Sequence, residues 1–380
     1  MRSERNDEPA RAKDLDEVER RKGEHLTVAA YEDVEAKMGP GWGDVHLVHE
    51  ALPRTDLSKV DLSVDFLGRG LRAPLVIAAM TGGHAMAAEV NRALARAAER
   101  HGLAMGLGSQ RAALRKPELA HTYAVAREAA PTAFLIANIG AAQLVAQAKG
   151  APIGEPELHA AIEMIRADAL AIHLNFLEES VQTEGDRRAS GVREAIARAV
   201  ACSSVPVIAK ETGAGIGRET ALELAGVGFS ALDVGGLGGT SFASVEAVRA
   251  RSKGDMRGMR MGEVFRDWGM PTVVSILAAG KAGLPIIATG GVRSGLDAAK
   301  ALALGASAVG VARPLLTAAL EGDEAVDAWI AQFLDELRVA AFLTGCTSIN
   351  ELRSVARVVT GESRRWLDDL GYSTGLRGSY

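Results

Sequence analysis

Eight short apolar runs, rich in β-branched residues, recur along the chain and are separated by segments with helical spacing of apolar residues. Runs that are apolar on both faces are typical of a parallel sheet covered by helices. Eight such units in 380 residues predict an α/β fold, a (β/α)8 TIM barrel with an N-terminal extension. A doubly wound sheet is disfavoured, because Thr81-Gly82-Gly83 after the first run lacks its G-x-G-x-x-G pattern. The runs cover residues 75–80, 102–108, 134–140, 169–175, 205–211, 231–236, 284–291 and 307–314.

The chain divides into three predicted regions. Residues 1–20 are charged throughout and predict a disordered tail without the apolar core of a signal peptide. Residues 21–74 form a predicted arm and cap, in which residues 53–73 read as a hairpin under the barrel floor. Residues 75–380 form the barrel itself, with its longest insertion at residues 241–271, after the sixth run.

Charge and cysteine content narrow the class of protein. The chain has 43 basic and 48 acidic residues, a balance that argues against a nucleic-acid partner. No apolar stretch is long enough to predict a membrane span. The two cysteines, Cys202 and Cys346, have neither metal-ligand spacing nor a disulfide pattern. A cytoplasmic location is therefore the expectation.

Polar, basic or glycine residues follow every predicted strand. In a parallel barrel the carboxyl ends of all strands meet at one face, where active sites of this fold lie. The Gly-Gly turn at residues 290–291 opens a helix, and Ala312-Arg313-Pro314 follows the last strand. Their backbone N–H groups predict a phosphate site. Lys210 ends the fifth run, where it either pairs with Glu211 or lies beside an electron-rich ring such as a flavin.

The stretch AIHLNFLEESVQTEGDRR, residues 171–188, begins as a buried strand and ends in a crowd of polar groups. His173 and Asn175 finish the apolar run, and Glu178 and Glu179 put two carboxylates side by side. Neither a helix nor a plain loop requires that set. We interpret it as part of a reaction or metal site at the barrel mouth.

Nine motifs of the chain together resemble those of the type 2 isopentenyl diphosphate isomerases, which are FMN-dependent (β/α)8 barrels. Their order and spacing carry the resemblance, which runs from about Arg21 to about Leu352. The flavin-barrel motifs alone also fit α-hydroxy-acid oxidases, and RK-x-x-H and HLN…EGD narrow the choice. The motifs are RKGEHL, AMTGG, GSQR, NIGA, HLN…E…Q-x-EGD, KETGAGI, GGTS, WGMPT and GGVRSGLD.

The resemblance implies a role for each matching residue. The implied FMN-binding residues are Met80, Thr81, Gly82, Ser109, Asn138, Lys210 and Thr240, with Gly290, Gly291, Arg293, Ala312 and Arg313 at its phosphate. The implied substrate-binding residues are Arg21, Lys22, His25, Ser109, Arg111, Glu178 and Gln182. Glu179 is the implied Mg²⁺ ligand, and His173, Asn175 and Glu178 are the implied catalytic residues.

The activity implied is the interconversion of isopentenyl and dimethylallyl diphosphate. Reduced FMN is the implied acid–base cofactor, with Mg²⁺ at the diphosphate and NADPH to reduce the flavin. Fixed arginines, a lysine and a divalent ion suit a diphosphate. A small-molecule prenyl diphosphate is thus the expected partner, and the resemblance implies a homotetramer or homo-octamer.

One residue departs from the family pattern, which has Gln where this chain has Glu178. The carboxyl group either stands in for the amide in neutral form, acts as a general base, or points away from the site. It also leaves open a reaction on another prenyl diphosphate or a non-catalytic paralogue. The remaining alternative is a flavin oxidoreductase of the hydroxy-acid type, which gives no task to Arg21, Lys22 or Glu179.

Overall fold

The computed structural model describes residues 8–148 and 151–372. The strands are β1 (Val45–Leu47), β2 (Val64–Phe66), β3 (Arg69–Leu71), β4 (Leu75–Ile77), β5 (Ala104–Gly106), β6 (Phe134–Gly140), β7 (Ala169–Leu174), β8 (Val207–Glu211), β9 (Ala231–Asp233), β10 (Ile286–Thr289), β11 (Ala308–Val311) and β12 (Arg357–Val359). The helices are α1 (Glu8–Tyr31), α2 (Ala85–His101), α3 (Arg111–Arg115), α4 (His121–Ala129), α5 (Glu155–Met164), α6 (Phe176–Val181), α7 (Val192–Cys202), α8 (Arg218–Val227), α9 (Phe242–Ser252), α10 (Met256–Val264), α11 (Thr272–Ala279), α12 (Gly295–Ala303), α13 (Arg313–Glu321), α14 (Asp323–Leu343) and α15 (Gly361–Asp369).

Eight parallel strands close into a barrel in the order β10-β11-β4-β5-β6-β7-β8-β9, and β9 pairs with β10. Each of these strands lies within one of the eight predicted runs, so the predicted (β/α)8 fold is confirmed. The strands are buried on both faces, and all seven residues of β6 are buried. This burial is the physical reason that the runs show no polar alternation.

Alanine is prominent on the buried faces of several helices around the barrel, α2 and α12 among them. In α2, the buried face consists of five alanines with Val90, Leu94 and Asn91, and the helix is followed by Gly102 in a left-handed conformation. Small side chains allow helices to lie close to the strands, which suits a chain with 4% aromatic residues. None of the described helices combines the length and the apolar character needed to cross a bilayer.

The N-terminal extension lies at both ends of the barrel. The β2–β3 hairpin covers the floor as predicted, since the Phe66 ring lies edge-on to Phe134 at the start of β6, with 6.0 Å between centroids. Arg69 on the same hairpin reaches Asp168, just before β7. An additional two-stranded sheet was not predicted: β1 pairs antiparallel with β12, which joins the extension to the C-terminal part of the chain.

Helix α1 begins at Glu8, inside the stretch predicted to be disordered from its composition. From residue 8 onward that prediction differs from the structure, and residues 1–7 of the stretch lie outside the described residues. Acidic and basic residues spaced three or four apart support a helix even where apolar residues are few. Arg20 and Glu24 form one such pair at 3.5 Å.

The chain after α1 runs across the mouth of the barrel. The backbone N–H of Ala36 donates to the Gly239 carbonyl, and the N–H of Ser241 donates to the Val34 carbonyl. Further along, the Trp42 indole N–H donates to the Gly291 carbonyl at 3.1 Å. The predicted insertion after β9 is present as α9 and α10. Together, α1, α9 and the segment 32–42 wall one side of the mouth.

Candidate active site

One cavity of about 250 Å³ lies at the carboxyl ends of the strands, as the barrel rule predicts. Strand-end loops and α1 both contribute to its wall. Every residue proposed from sequence for the site lines this cavity, except Gln182. The lining residues proposed from sequence are Arg21, Lys22, His25, Met80, Thr81, Gly82, Ser109, Arg111, Asn138, His173, Asn175, Glu178, Glu179, Lys210, Thr240, Gly290, Gly291, Arg293, Ala312 and Arg313.

Lys210 forms an ion pair, but with a different partner from the one considered above. Strand register places His173, Lys210 and Asp233 side by side on β7, β8 and β9. The Lys210 Nζ lies 3.0 Å from Asp233 Oδ2. Glu211 is the next residue on the strand, so its side chain points to the opposite face. Its carboxylate instead accepts N–H groups of the loop at residues 213–215, while its backbone carbonyl accepts from Lys210.

His173 is held as a neutral ring. Its Nδ1 lies 2.8 Å from Asn138 Oδ1, and the Asn138 amide nitrogen is already committed to the Leu107 carbonyl. Nδ1 therefore carries the proton, and Nε2 is left as an acceptor. Burial, together with the cationic Lys210, Lys22 and Arg111, lowers the pKa of His173 to about 3. A ring of this kind accepts hydrogen bonds but does not supply a positive charge.

Cationic side chains gather at the side of the cavity walled by α1. Lys22 donates from Nζ to the Ser109 carbonyl at 2.6 Å and to the Tyr123 hydroxyl at 2.7 Å. Burial, together with Arg21 and Arg111, lowers the pKa of Lys22 to about 7. These groups form a cationic wall, and an anion beside it would offset their mutual repulsion.

The two adjacent carboxylates both reach the cavity. The Asn175 side-chain amide donates to Glu178 Oε2 at 3.1 Å and to Glu179 Oε1 at 3.2 Å. Burial raises the pKa of both carboxyl groups. At Glu178, His25 opposes the rise, while the Glu179 and Glu246 carboxylates add to it. Glu178 therefore does not point away from the site, which removes one of the alternatives left open by the sequence.

The EGD sequence at residues 184–186 holds this acidic corner in place. A Cβ at Gly185 would collide with the Glu179 carbonyl, so the close turn requires glycine there. The Asp186 backbone N–H donates to Glu179 Oε2 at 2.6 Å, and the Asp186 carboxylate pairs with Arg111 Nη1. The motif thus joins the carboxylate of Glu179 to the cationic wall.

The loops after β10 and β11, where the sequence predicts a phosphate site, bring glycine backbone and two arginines to the cavity. Gly290 and Gly291 have φ angles of 126° and 64°, which favour glycine. Arg293 and Arg313 come from the two successive loops, and both contact the Glu35 carboxylate, at 2.5 and 3.2 Å. An acidic side chain from the segment 32–42 therefore lies where two basic loops meet.

Gln182 is the one predicted site residue that is not brought to the cavity wall. Helix α6 ends at Val181, and Gln182 takes an extended conformation with its side chain buried. Sequence reasoning also missed several residues that shape the site, namely Glu35, Gln143, Asp186, Glu211, Asp233 and Glu246. Three of them lie within stretches that the sequence analysis had recognised: Asp186 in EGD, Glu211 in KETGAGI and Asp233 in the sixth run.

Comparison with known proteins shows the family of this chain. The profile of the family described as FMN-dependent dehydrogenase matches residues 33–144 and 270–358. The isopentenyl-diphosphate delta-isomerase of Methanosarcina barkeri is 50% identical over 93% of this chain and 95% of its own length. The enzyme of that name from Halobacterium salinarum is 47% identical over 94% of this chain and 98% of its own. The chain belongs to the type 2 isopentenyl-diphosphate delta-isomerase family.

Membership in the type 2 isopentenyl-diphosphate delta-isomerases confirms the family predicted from the motifs and the prediction that the chain is an enzyme. Among solved structures, mandelate oxidase with (S)-2-phenylpropionate has a TM-score of 0.56 at 20% identity. The match covers 91% of this chain and 97% of the mandelate oxidase chain. A likeness at this level of identity shows the shared barrel fold.

Proposed function

We propose that this chain converts isopentenyl diphosphate to dimethylallyl diphosphate with FMN and Mg²⁺. The observation that carries the proposal is one cavity in which a cationic wall from α1 faces the strand-end residues Asn138, His173 and Lys210. The cationic wall suits a diphosphate, and the side of the cavity formed by the strand ends suits a flat ring. The names and high identity of the archaeal relatives support the same activity.

The residues present fit FMN. Gly290 and Gly291 bring backbone close to the cavity, and Arg293 and Arg313 supply two guanidinium groups for a phosphate. Immediately before this turn, Thr289 Oγ1 is buried and has no hydrogen-bond partner among the described residues. A buried polar atom of this kind on a cavity wall is suited to a ligand's polar edge. Lys210 lies at the strand end where it would meet the ring.

The acidic corner fits Mg²⁺. Glu179 lines the cavity near the cationic wall, and the Asn175 Oδ1 is buried without a partner in the described part of the chain. Both are oxygen ligands of the type that Mg²⁺ prefers, and this ion is usually held by one or two carboxylates together with substrate phosphates. Glu179 would therefore hold the ion against the diphosphate.

When bound and reduced, FMN would supply the acid–base group for the allylic proton shift, and NADPH would serve to reduce it. The chain's own residues would orient the substrate and shield the reacting carbons. His173 offers Nε2 as an acceptor, and its neutral state adds no positive charge near a cationic transition state. The walls of the barrel mouth would keep water from the reacting carbons. Glu178 reaches the cavity at the position of the family's amide, where its carboxyl group would act as neutral stand-in or base.

A turnover assay tests the proposal. Isopentenyl diphosphate is incubated with the protein, Mg²⁺ and FMN reduced by NADPH, and dimethylallyl diphosphate is followed by NMR. Product is expected with reduced flavin and none with oxidised flavin or after chelation of the metal. A requirement for a stoichiometric electron acceptor would instead indicate the hydroxy-acid type of reaction. Turnover of only another prenyl diphosphate would assign the altered-substrate alternative.

The same preparation tests two further expectations. We expect the purified protein to show flavin absorbance. A colourless protein that does not take up FMN would exclude a flavin enzyme. Mass measurement in solution tests the predicted homotetramer or homo-octamer. Cytoplasmic location stays a prediction from the sequence.

A further inference from the structure

Arg249 lies on α9, outside the cavity, and its side chain is 3% exposed. Its three nitrogens contact three carboxylates: Nε lies 2.9 Å from Glu24, Nη2 lies 3.0 Å from Glu184, and Nη1 contacts Glu246 on the same helix. Two of these partners come from parts of the chain that are 225 and 65 residues away. A planar guanidinium is the side chain that can join three carboxylates at once.

Each carboxylate leads to a different part of the diphosphate side of the cavity. Glu24 lies on α1 between Lys22 and His25, both of which line the cavity. Glu246 also accepts from His25 Nε2, at 2.6 Å. The segments meeting at Arg249 are therefore those that carry the cationic wall.

The third partner, Glu184, belongs to the EGD sequence. Two residues later, Asp186 holds Glu179 through its backbone N–H and Arg111 through its carboxylate. Arg249 thus ties the loop of the proposed metal ligand to the arm of the proposed substrate cations. Without it, three carboxylates would face one another, with Lys253 and Arg20 as cations beside Glu24, at 3.4 and 3.5 Å.

Near this point α1 is also held by Lys22, which donates to Ser109 and Tyr123, by His25 on Glu246, and by its buried residues Leu26 and Ala30. Arg249 is the residue that contacts both α1 and the EGD sequence. Removing the charge of Arg249 would leave like charges to push α1 and the EGD loop apart. None of the three carboxylates around Arg249 lies on a barrel strand. The strand ends, which would form the FMN-binding half of the cavity, are therefore separate from this cluster.

We propose that Arg249 is a positioning residue that holds the α1 arm and the EGD loop in register and so assembles the diphosphate half of the site. The inference rests on the proposed function for the identity of the ligand, but the link between the two segments is independent of it. Loss of Arg249 should raise the KM for the diphosphate substrate more than it lowers kcat and should leave FMN binding intact.

The test compares Arg249→Gln and Arg249→Lys with Arg251→Gln, an exposed arginine on the same helix paired with Glu263. Inorganic pyrophosphate with Mg²⁺ is titrated into FMN-loaded protein, and FMN affinity is measured separately by fluorescence. We expect pyrophosphate affinity to fall about tenfold or more in both Arg249 variants, because a buried hydrogen-bonded charge has been lost or mismatched. Arg251→Gln should change it by about twofold at most.

Hydrogen exchange of α1 provides a readout that needs no ligand. Amides of residues 20–31 should exchange faster in the Arg249 variants than in the wild type, while amides of β6 and β7 should not. If Arg249→Gln fails to fold, Glu24→Gln removes only the arm's contact and should give the same pattern. Unchanged α1 exchange and pyrophosphate affinity would overturn the inference, as would a parallel loss of FMN affinity. If wild-type protein binds no pyrophosphate, the proposed function fails, and α1 exchange still decides the role of Arg249.

Discussion

His173 donates its Nδ1 proton to Asn138 Oδ1 across 2.8 Å, a bond between neighbouring strands of the barrel. Because the Asn138 amide nitrogen is bonded to the Leu107 carbonyl, its oxygen is the atom that faces the ring. The bond sets the tautomer of His173, and burial together with nearby cations keeps the ring neutral.

This relationship predicts that His173 does not titrate near neutral pH. Ring nitrogen NMR signals of His173 should report the Nδ1–H tautomer throughout about pH 5 to 8. In Asn138→Asp the added carboxylate next to Nδ1 should raise the pKa of the ring and bring its titration into that range. A protonated His173 at neutral pH in the wild type would contradict the assignment.

The lowered pKa of Lys22 predicts a pH dependence of anion binding. Lys22 loses its charge above about pH 7, whereas a bound diphosphate favours the charged form. Binding above that pH must therefore take up a proton, so pyrophosphate affinity should fall by up to about tenfold per pH unit, and below it Lys22 adds no dependence.

Lys22→Arg provides the control for this prediction, because arginine remains charged and the titration of pyrophosphate itself cancels in the comparison. Titration calorimetry on both proteins between about pH 6 and 9 should show a steeper loss of affinity in the wild type. Equal slopes would show that Lys22 does not titrate in the site.

Substitution of Glu178 tests the residue that departs from the family. In Glu178→Gln the Asn175 amide retains an oxygen acceptor, and the family's usual group is restored. Isomerase kcat should stay the same or rise by up to about tenfold. Initial rates with reduced FMN and Mg²⁺ measure this, and complete loss of activity would show that the carboxylate is essential.

The neighbouring Glu179→Gln provides the matched comparison. It keeps the side chain's size and the acceptor for the Asp186 N–H, but removes the charge proposed for the metal. The rate should fall about a hundredfold, and the Mg²⁺ concentration for half-maximal activity should rise. An unchanged Mg²⁺ requirement would move the metal ligand elsewhere.

The Glu35 carboxylate contacts both arginines proposed to bind the phosphate of FMN. We therefore predict that Glu35 competes with that phosphate for the two arginines. Although its partial burial opposes this, the bonds to Arg293 and Arg313 lower the pKa of Glu35, so it is ionised at neutral pH. Glu35→Gln should strengthen FMN binding by about fivefold, a modest change because the pair is partly exposed. Fluorescence titration of apoprotein measures it, with Glu32→Gln as the control on the same segment. Weaker FMN binding in Glu35→Gln would mean that the carboxylate orients the arginines instead.

Much of the fold followed from local pattern. The apolar runs predicted all eight barrel strands because a strand buried on both faces is itself a continuous run of apolar residues. The composition of the N-terminal residues was less informative, since low hydrophobicity alone does not separate a charged helix such as α1 from disorder. The β1–β12 pair escaped prediction because its strands are only three residues long and lie 312 positions apart.

The sequence by itself determined the barrel and the face on which the polar side chains gather, because parallel strands all deliver their carboxyl ends to one side. Only the tertiary structure decided which charges meet: Lys210 with Asp233, Glu35 with two arginines, and Arg249 with three carboxylates. Such pairs depend on strand register and on where α1 docks. Contacts between residues far apart in the chain leave no period or spacing for a single sequence to show.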